Sequence, residues 1–197
     1  KILSCIRQRK THNNIMRSGI GVGGYCLTKD PLFAKAASQQ ILQRKFDFPL
    51  SSKAVEVNQK MTFDVMSEIK KKFFKSIKNK KVLIIGVGYR EDTNDTRYSP
   101  AEGVFDFFKK MQCKLSFYDP IVNYWKYIDS HSIEKKDLKN FDVYVYLIKH
   151  QSFKKLNITY KKRSLVLDLN HVLERKKRSK ILKNKNYESY FIGSKRL

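Results

Sequence analysis

The hydrophobic pattern of the first third of the chain is helical. Residues 31–45 keep one mostly apolar face, and Met61, Val65 and Ile69 recur every four residues in a longer stretch. Apolar positions three to four residues apart are typical of amphipathic helices. The pattern predicts one helix over 31–45, beginning at an Asp-Pro pair that suits an N-cap, and a second helix over 51–77.

After residue 78 the pattern changes to short apolar runs separated by helical stretches. Residues 82–85 are all apolar, as expected of a strand that is buried on both faces. Further strands are predicted at 114–120, 143–148, 165–169 and 190–192, and a Ser-Pro-Ala-Glu sequence at 99–102 predicts a capped helix start. Strands that alternate with helices favour a parallel, doubly wound sheet. The predicted fold class is α/β, with a helical part, residues 1–78, followed by a Rossmann-like domain, residues 79–197.

The first candidate for chemistry is Cys26. Four glycines lie within residues 19–24, and such density indicates positive φ angles or a close approach of the backbone to another group. A thiol near a helix start, with Lys29 and Asp30 about one turn away, suits a nucleophile in covalent catalysis. A small buried cysteine without reactivity is the alternative, and the residue types leave both open.

The second candidate follows the first strand, where Gly86 and Gly88 begin a loop. A dinucleotide fingerprint needs a third glycine at position 91 and an immediate helix, but Glu91 stands there and the helix start waits until Ser99. The sequence therefore disfavours NAD binding at this turn. Doubly wound folds nevertheless bind ligands at the carboxyl ends of their strands, so a ligand site of another kind is still expected here.

Two arginines in this loop, Arg90 and Arg97, have the forked donor geometry that suits phosphate. The alternative is a structural arginine that pairs with Asp92 or Asp95 and holds the loop in shape. Spacing alone does not separate these interpretations.

The amino-acid composition narrows the possible classes of protein and of function. The net charge of +24 raises nucleic acid as a partner, but the lysines are spread along the chain and no DNA- or RNA-binding motif accompanies them. Three cysteines without a CxxC pair, and four scattered histidines, disfavour a disulfide framework and a metal site. No apolar run is long enough to predict a membrane span. The start at Lys1 shows no signal peptide, so we expect a cytoplasmic fragment of a longer protein.

Two motifs in the expected order resemble the UDP-glucose/GDP-mannose (nucleotide-sugar) dehydrogenase family. The first is GIGVGGYCLTKDP at 19–31, whose form is closer to the branch that oxidises UDP-N-acetylhexosamines; the second is VLIIGVGYREDTNDTRYSP at 82–100. The sequence FYDP at 117–120 matches as well. The resemblance implies that residues 1–78 are the C-terminal part of a central helical domain, and that residues 79–197 are a Rossmann-like UDP-binding domain.

The same resemblance implies an activity that serves polysaccharide biosynthesis: two successive NAD-dependent oxidations of a UDP-hexose or UDP-N-acetylhexosamine to the uronic acid. Cys26 would form a thiohemiacetal and then a thioester, and Asp30 would help to activate water. Lys29 and Arg97 would lie on the cofactor side. The residues implied to contact the UDP-sugar are Arg17, Gly19, Gly21, Gly23, Tyr89 and Arg90.

The resemblance also implies a homodimer through the helix 51–77. Arg90 departs from the family pattern, which usually has lysine there, and the family's N-terminal NAD-binding domain has no counterpart in the sequence. We therefore expect the chain to be inactive alone. The alternative function, from another class, is a non-catalytic module that binds UDP-sugar or completes an oligomer; a nucleic-acid-binding protein is a third interpretation.

Overall fold

The structure is a computed structural model that describes residues 2–15 and 19–192. The first part of the chain contains three α-helices: α1 (Ile2–Ile6), α2 (Phe33–Gln40) and α3 (Pro49–Phe73). Two 3₁₀ helices, Lys10–His12 and Asp30–Leu32, lie between α1 and α2.

Both predicted helices of this part are present, but with different ends. The first begins as the 3₁₀ turn Asp30–Leu32 and its α-helical part stops at residue 40, earlier than predicted. The Asp30 side chain does not cap it. Helix α3 begins at Pro49, because proline fits the first turn, and it ends at residue 73 because Phe74 turns out of the helix and packs edge-on against Phe108.

The second part of the chain is built on a five-stranded parallel sheet. Its strands are β1 (Lys81–Ile85), β2 (Lys114–Tyr118), β5 (Val143–Tyr146), β6 (Leu165–Asp168) and β7 (Glu188–Phe191). They lie in the order β2-β1-β5-β6-β7, and every neighbouring pair is parallel. The α/β fold class and all five predicted strands are confirmed.

The remaining elements connect these strands. Helix α4 (Pro100–Lys110) joins β1 to β2, and helix α5 (Arg175–Lys183) joins β6 to β7. A small antiparallel ribbon of β3 (Tyr124–Trp125) and β4 (Ser130–His131), flanked by 3₁₀ turns at Lys126–Ile128 and Lys135–Asp137, precedes β5. A 3₁₀ helix, Gln151–Lys155, is the only regular element in the crossover from β5 to β6.

Helix α3 packs on the sheet part of the molecule. Met66 and Ile69 of α3 are fully buried in the same apolar cluster as Val104 and Phe108 of α4. A Cβ atom added to Gly103 would lie 3.0 Å from Cγ2 of Thr62, so glycine is what lets α4 approach α3 this closely. The two parts of the chain therefore share one core, and a domain boundary at residue 78 stays a prediction.

Candidate functional site

The glycine run is held against α3 by three hydrogen bonds. Asn58 accepts from the Val22 N–H at 2.7 Å and donates to the Val22 carbonyl at 2.8 Å, and the Thr62 hydroxyl donates to the Ile20 carbonyl at 3.0 Å. Gly21 lies between these contacts with a φ of +143°, an angle that residues with a side chain rarely adopt. The run thus has a fixed path along the helix.

The other side of the run rests on the loop between β1 and α4. The Gly24 N–H donates to the Arg97 carbonyl at 3.1 Å. A Cβ atom at Gly23 would come within 2.6 Å of the Tyr98 carbonyl oxygen, and one at Gly24 within 2.8 Å of the Tyr89 ring. Glycine is therefore required where the two motifs, far apart in sequence, meet.

Gly19 makes a similar close approach at the start of the run. A Cβ atom there would overlap the side-chain oxygen of Asn170, which follows strand β6. Of the residues expected to contact the sugar nucleotide, Gly19, Gly21, Gly23 and Tyr89 are thus brought into one region. Arg17 lies outside the described residues.

Cys26 stands at the end of the glycine run in a tight turn and is exposed. Its carbonyl accepts from the N–H groups of Lys29 and Asp30 at 3.2 and 2.9 Å, while the Thr28 hydroxyl donates to the Gly24 carbonyl at 2.8 Å. The turn is fixed by these backbone contacts, so the thiol is presented at a defined place beside the two loops.

Lys29 and Asp30 form an ion pair next to this thiol. Lys29 Nζ lies 2.7 Å from Asp30 Oδ1, and 4.1 and 4.3 Å from the ring centres of Tyr25 and Phe33. The hydrogen bond that Lys29 donates to Asp30 raises the pKa of Lys29, and the nearby Cys26 adds to the effect. A permanent cation, a carboxylate and a thiol therefore lie within one turn of chain.

Of the two loop arginines, Arg97 pairs with Asp95, one of the two carboxylates that the sequence offered as a structural partner. Its Nε and Nη2 atoms donate to the Asp95 carboxylate at 2.7 to 3.1 Å, and its guanidinium lies 5.3 Å from the Tyr25 ring centre. This hydrogen bonding lowers the pKa of Asp95. Arg90 is exposed, and its side chain makes no hydrogen bond within the described part of the chain, so its donors are free to bind an anion.

A buried polar pair shapes the carboxyl edge of the sheet beneath this loop. His150, which follows β5, accepts from the Asp92 N–H through Nδ1 at 3.1 Å, and its Nε2 lies 3.2 Å from Asp119 Oδ2. This pattern assigns the proton to Nε2, which donates to Asp119. Burial favours a raised pKa for Asp119, but the hydrogen bond that His150 donates, with those from N–H groups that include that of Val87, outweighs it and lowers the pKa.

Sequence reasoning did not find four residues that organise the site: Asn58, Thr62, His150 and Asn170. His150 and Asn170 carried a signal, since a polar residue just after a predicted strand lies at the carboxyl edge of a parallel sheet. The contacts of Asn58 and Thr62 are set by the packing of distant segments, which no local spacing reveals.

The described residues do not form a dinucleotide site by themselves. The turn after β1 is closed, because a Cβ atom at Gly86, whose φ is +81°, would lie 2.5 Å from the Ile148 carbonyl oxygen. Helix α4 starts only at Pro100. One N–H group of its first turn, that of Ala101, already donates to the Ser99 hydroxyl at 3.2 Å. A pyrophosphate therefore lacks the free helix N-terminus and glycine turn that NAD binding uses.

No helix among residues 2–15 and 19–192 is long and apolar enough to span a membrane.

Fold and site together define a Rossmann-like α/β protein in which a cysteine loop is held beside the carboxyl edge of the sheet. Residues 83–175 match the family described as "UDP-glucose/GDP-mannose dehydrogenase family, UDP binding domain". The chain belongs to the UDP-glucose/GDP-mannose dehydrogenase family, as the two sequence motifs indicated.

Individual relatives agree with this assignment. The UDP-N-acetyl-D-mannosamine dehydrogenase of Methanococcus aeolicus is 35% identical over 72% of this chain and 30% of its own length. The UDP-glucose 6-dehydrogenase of Rickettsia prowazekii is 23% identical over 92% of this chain and 43% of its own length. The NDP-N-acetyl-D-galactosaminuronic acid dehydrogenase structure from Methanosarcina mazei has a TM-score of 0.76 at 22% identity, covering 98% of this chain and 43% of that one. The chain thus spans less than half the length of each.

Proposed function

We propose that the chain is the part of a UDP-sugar dehydrogenase that holds the sugar nucleotide and supplies the covalent nucleophile. One observation carries this proposal: the Cys26 loop and the Tyr89–Arg97 loop are docked on each other through the Gly24–Arg97 hydrogen bond and the glycine contacts of Tyr89. A nucleotide bound at the sheet edge would then have its sugar close to the thiol. A UDP-N-acetylhexosamine is the favoured substrate and a UDP-hexose the alternative.

In this proposal the chain's own residues bind the nucleotide, supply the nucleophile and accept a proton. Arg90, whose donors are free, pairs with the diphosphate, and Tyr89 lies against the nucleotide. The Cys26 thiol adds to the aldehyde carbon of the partly oxidised sugar: the sulfur forms the new C–S bond and the thiol proton passes to the carbonyl oxygen, which gives a thiohemiacetal. Loss of a hydride to the proposed acceptor, NAD, and of the hydroxyl proton would convert it to a thioester. At the thioester stage, Asp30 takes the proton of the attacking water, and the Cys26 sulfur leaves as the acyl group becomes the uronic acid.

NAD is proposed as the hydride acceptor of the whole reaction, although the described residues do not form a dinucleotide site by themselves. We also propose that Lys29 and Arg97 lie on the cofactor side, that the chain is located in the cytoplasm, and that it forms a homodimer through residues 51–77.

The test uses alkylation of Cys26 in the full chain with a Cys5→Ser substitution, since Cys5 is also exposed. Burial raises the pKa of the remaining thiol, Cys113, to about 11, so it reacts slowly near neutral pH. A UDP-N-acetylhexosamine should slow iodoacetamide labelling of Cys26 by about threefold or more. UDP should bind with a measurable heat, and Arg90→Ala should weaken that binding by about tenfold, the effect of losing one charge-assisted contact.

The matched control is Lys139→Ala, which removes one exposed charge from the loop before β5, at the amino edge of the sheet. It should change UDP binding by less than about twofold. If UDP binds but no UDP-sugar protects Cys26, the non-catalytic binding module is favoured. If neither occurs, the proposed function is wrong for this chain.

A further inference from the structure

A second cavity lies on the face of the sheet opposite helices α3 and α4. It has a volume of about 360 Å³ and lies between the β5–β6 crossover and helix α5. The crossover holds only the short 3₁₀ helix Gln151–Lys155 followed by irregular chain, so no long helix covers the sheet here. The lining shares His150 with the cysteine site but includes none of Cys26, Tyr89 or Arg97.

The interior of this cavity is apolar and largely aromatic. Phe153, Leu156 and Ile181 are buried in its walls, and the rings of Tyr146 and Tyr160 face it with their hydroxyls 2.7 Å apart. Burial raises the pKa of Tyr160 to about 12, so both hydroxyls stay neutral. Flat apolar walls with a few hydroxyl groups suit an aromatic ring.

The mouth of the cavity is strongly basic. Lys149 and Lys154 approach it from the crossover, and Lys176 and Lys180, one turn apart, approach it from α5. Within residues 2–15 and 19–192, none of these four side chains has a hydrogen-bond or ion-pair partner. Glu174 is the acidic residue of the lining.

A fifth lysine has a structural task instead. Lys177 Nζ lies 3.2, 3.3 and 2.8 Å from the carbonyl oxygens of Phe153, Lys154 and Leu156, and it donates to this group of acceptors at the end of the 3₁₀ helix. Lys177 therefore ties α5 to the crossover and keeps the cavity open at a fixed width. The four other lysines surround the entrance with cationic groups that no described residue neutralises.

We propose that this cavity binds a small aromatic anion, with the ring between the tyrosine and phenylalanine walls and a phosphate or sulfonate group among the lysines at the mouth. The volume lies within the range of about 300–1,000 Å³ that small-molecule sites occupy. Unpaired lysines at the rim of a low-dielectric pocket concentrate their field on the entrance, which favours an anion over a neutral ligand of the same shape.

The test compares two probes of one shape with the full chain. 8-Anilinonaphthalene-1-sulfonate carries the anionic group, and N-phenyl-1-naphthylamine has the same rings without it. The sulfonate should bind with one saturable fluorescence transition and at least about tenfold more tightly than the neutral amine. AMP, an aromatic phosphate, should displace it.

Charge reversal at the mouth locates the site. Lys176→Glu with Lys180→Glu should weaken sulfonate binding by at least about tenfold, since two rim cations become anions. The matched control is Lys183→Glu with Lys185→Glu, which makes the same change in net charge at two exposed lysines outside the lining. It should change binding by less than about threefold.

A cavity-filling variant provides an independent check. Ile158→Trp adds bulk at a half-buried position of the crossover and should abolish saturable sulfonate binding, while a thermal melt verifies that the protein is folded. The proposal is overturned if the sulfonate shows no saturable binding, if the neutral amine binds equally well, or if the mouth and control variants behave alike. It is also overturned if a folded Ile158→Trp protein still binds.

Discussion

Replacement of Gly23 by alanine tests the contact that brings the two motifs together. The added Cβ atom would lie 2.6 Å from the Tyr98 carbonyl oxygen and 2.9 Å from Tyr89 Cβ, about 1 Å inside normal contact. The nearest atom belongs to the backbone, so it cannot rotate away as a flexible side chain does. Overpacking of this kind costs about 1–3 kcal/mol, and here the displaced loop would also lose the hydrogen bond that the Gly24 N–H donates to Arg97.

Amide hydrogen exchange measures the free-energy cost of this substitution directly. If the Gly24 amide exchanges through local opening of the loop, 1–3 kcal/mol corresponds to exchange that is about 5- to 150-fold faster in Gly23→Ala. The control is Gly103→Ala, where the added Cβ would lie 3.0 Å from a side-chain methyl of Thr62. Thr62 also donates to the Ile20 carbonyl, so the control is read at the Gly24 amide, which bonds to Arg97 and should exchange at the wild-type rate in Gly103→Ala. Unchanged exchange of the Gly24 amide in Gly23→Ala would show that the loop does not rest on the Tyr98 carbonyl.

Three further predictions concern other parts of the structure. Burial, with the charge of Asp106, raises the pKa of Glu102 to about 7 from 4.5, so folding stability falls as pH rises between these values. Glu102→Gln should therefore add about 1 kcal/mol near pH 8 and nothing near pH 4, after allowance for partial exposure; parallel melting curves across this range would contradict the assignment. Phe63, which is 67% exposed on α3, should be part of the proposed dimer interface, and Phe63→Glu should reduce the mass in light scattering from dimer to monomer; a monomeric wild type would refute the interface. The buried Asp168 carboxylate accepts from Arg178 at 2.6 and 3.0 Å, so Asp168→Asn should cost about 3–5 kcal/mol in a urea denaturation, and a loss under 1 kcal/mol would count against this pair as a stabilising contact.

The sequence predicted the centre of the sheet well because β5 and β6 are buried along their whole length and β1 is buried from Val82 to Ile85. Residues 82–85 form a run without polar interruption, and such runs are typical of parallel sheets covered on both faces. Helix ends were less predictable. The first helix stops at residue 40 although its apolar positions continue, and the Asp30 carboxylate pairs with Lys29 and leaves the helix uncapped. The Asp30 carboxylate accepts from the neighbouring Lys29 at 2.7 Å, and the spacing of apolar residues does not reveal that contact.

For the site, the sequence predicted which segments matter, but it did not predict how they meet. The glycines indicated close approach, and the structure identifies the partners as Tyr89, Tyr98 and Asn170. Asn58 bonds to Val22 across 36 positions in the chain, and such a pair leaves no periodic trace in one sequence. The roles assigned to Cys26 and its neighbours remain predictions that the experiments above test.

The contacts of the glycine run also set a mechanical constraint. Val22 is bonded to α3, and Gly24, two residues before Cys26, is bonded to the loop that carries Arg97. Any motion that separated the glycine run from the arginine loop would have to break the Gly24–Arg97 hydrogen bond and the contacts of the run with Tyr89. If the proposed function holds, a movement around a bound sugar nucleotide would therefore hinge elsewhere, and Cys26 and the arginine loop would move together.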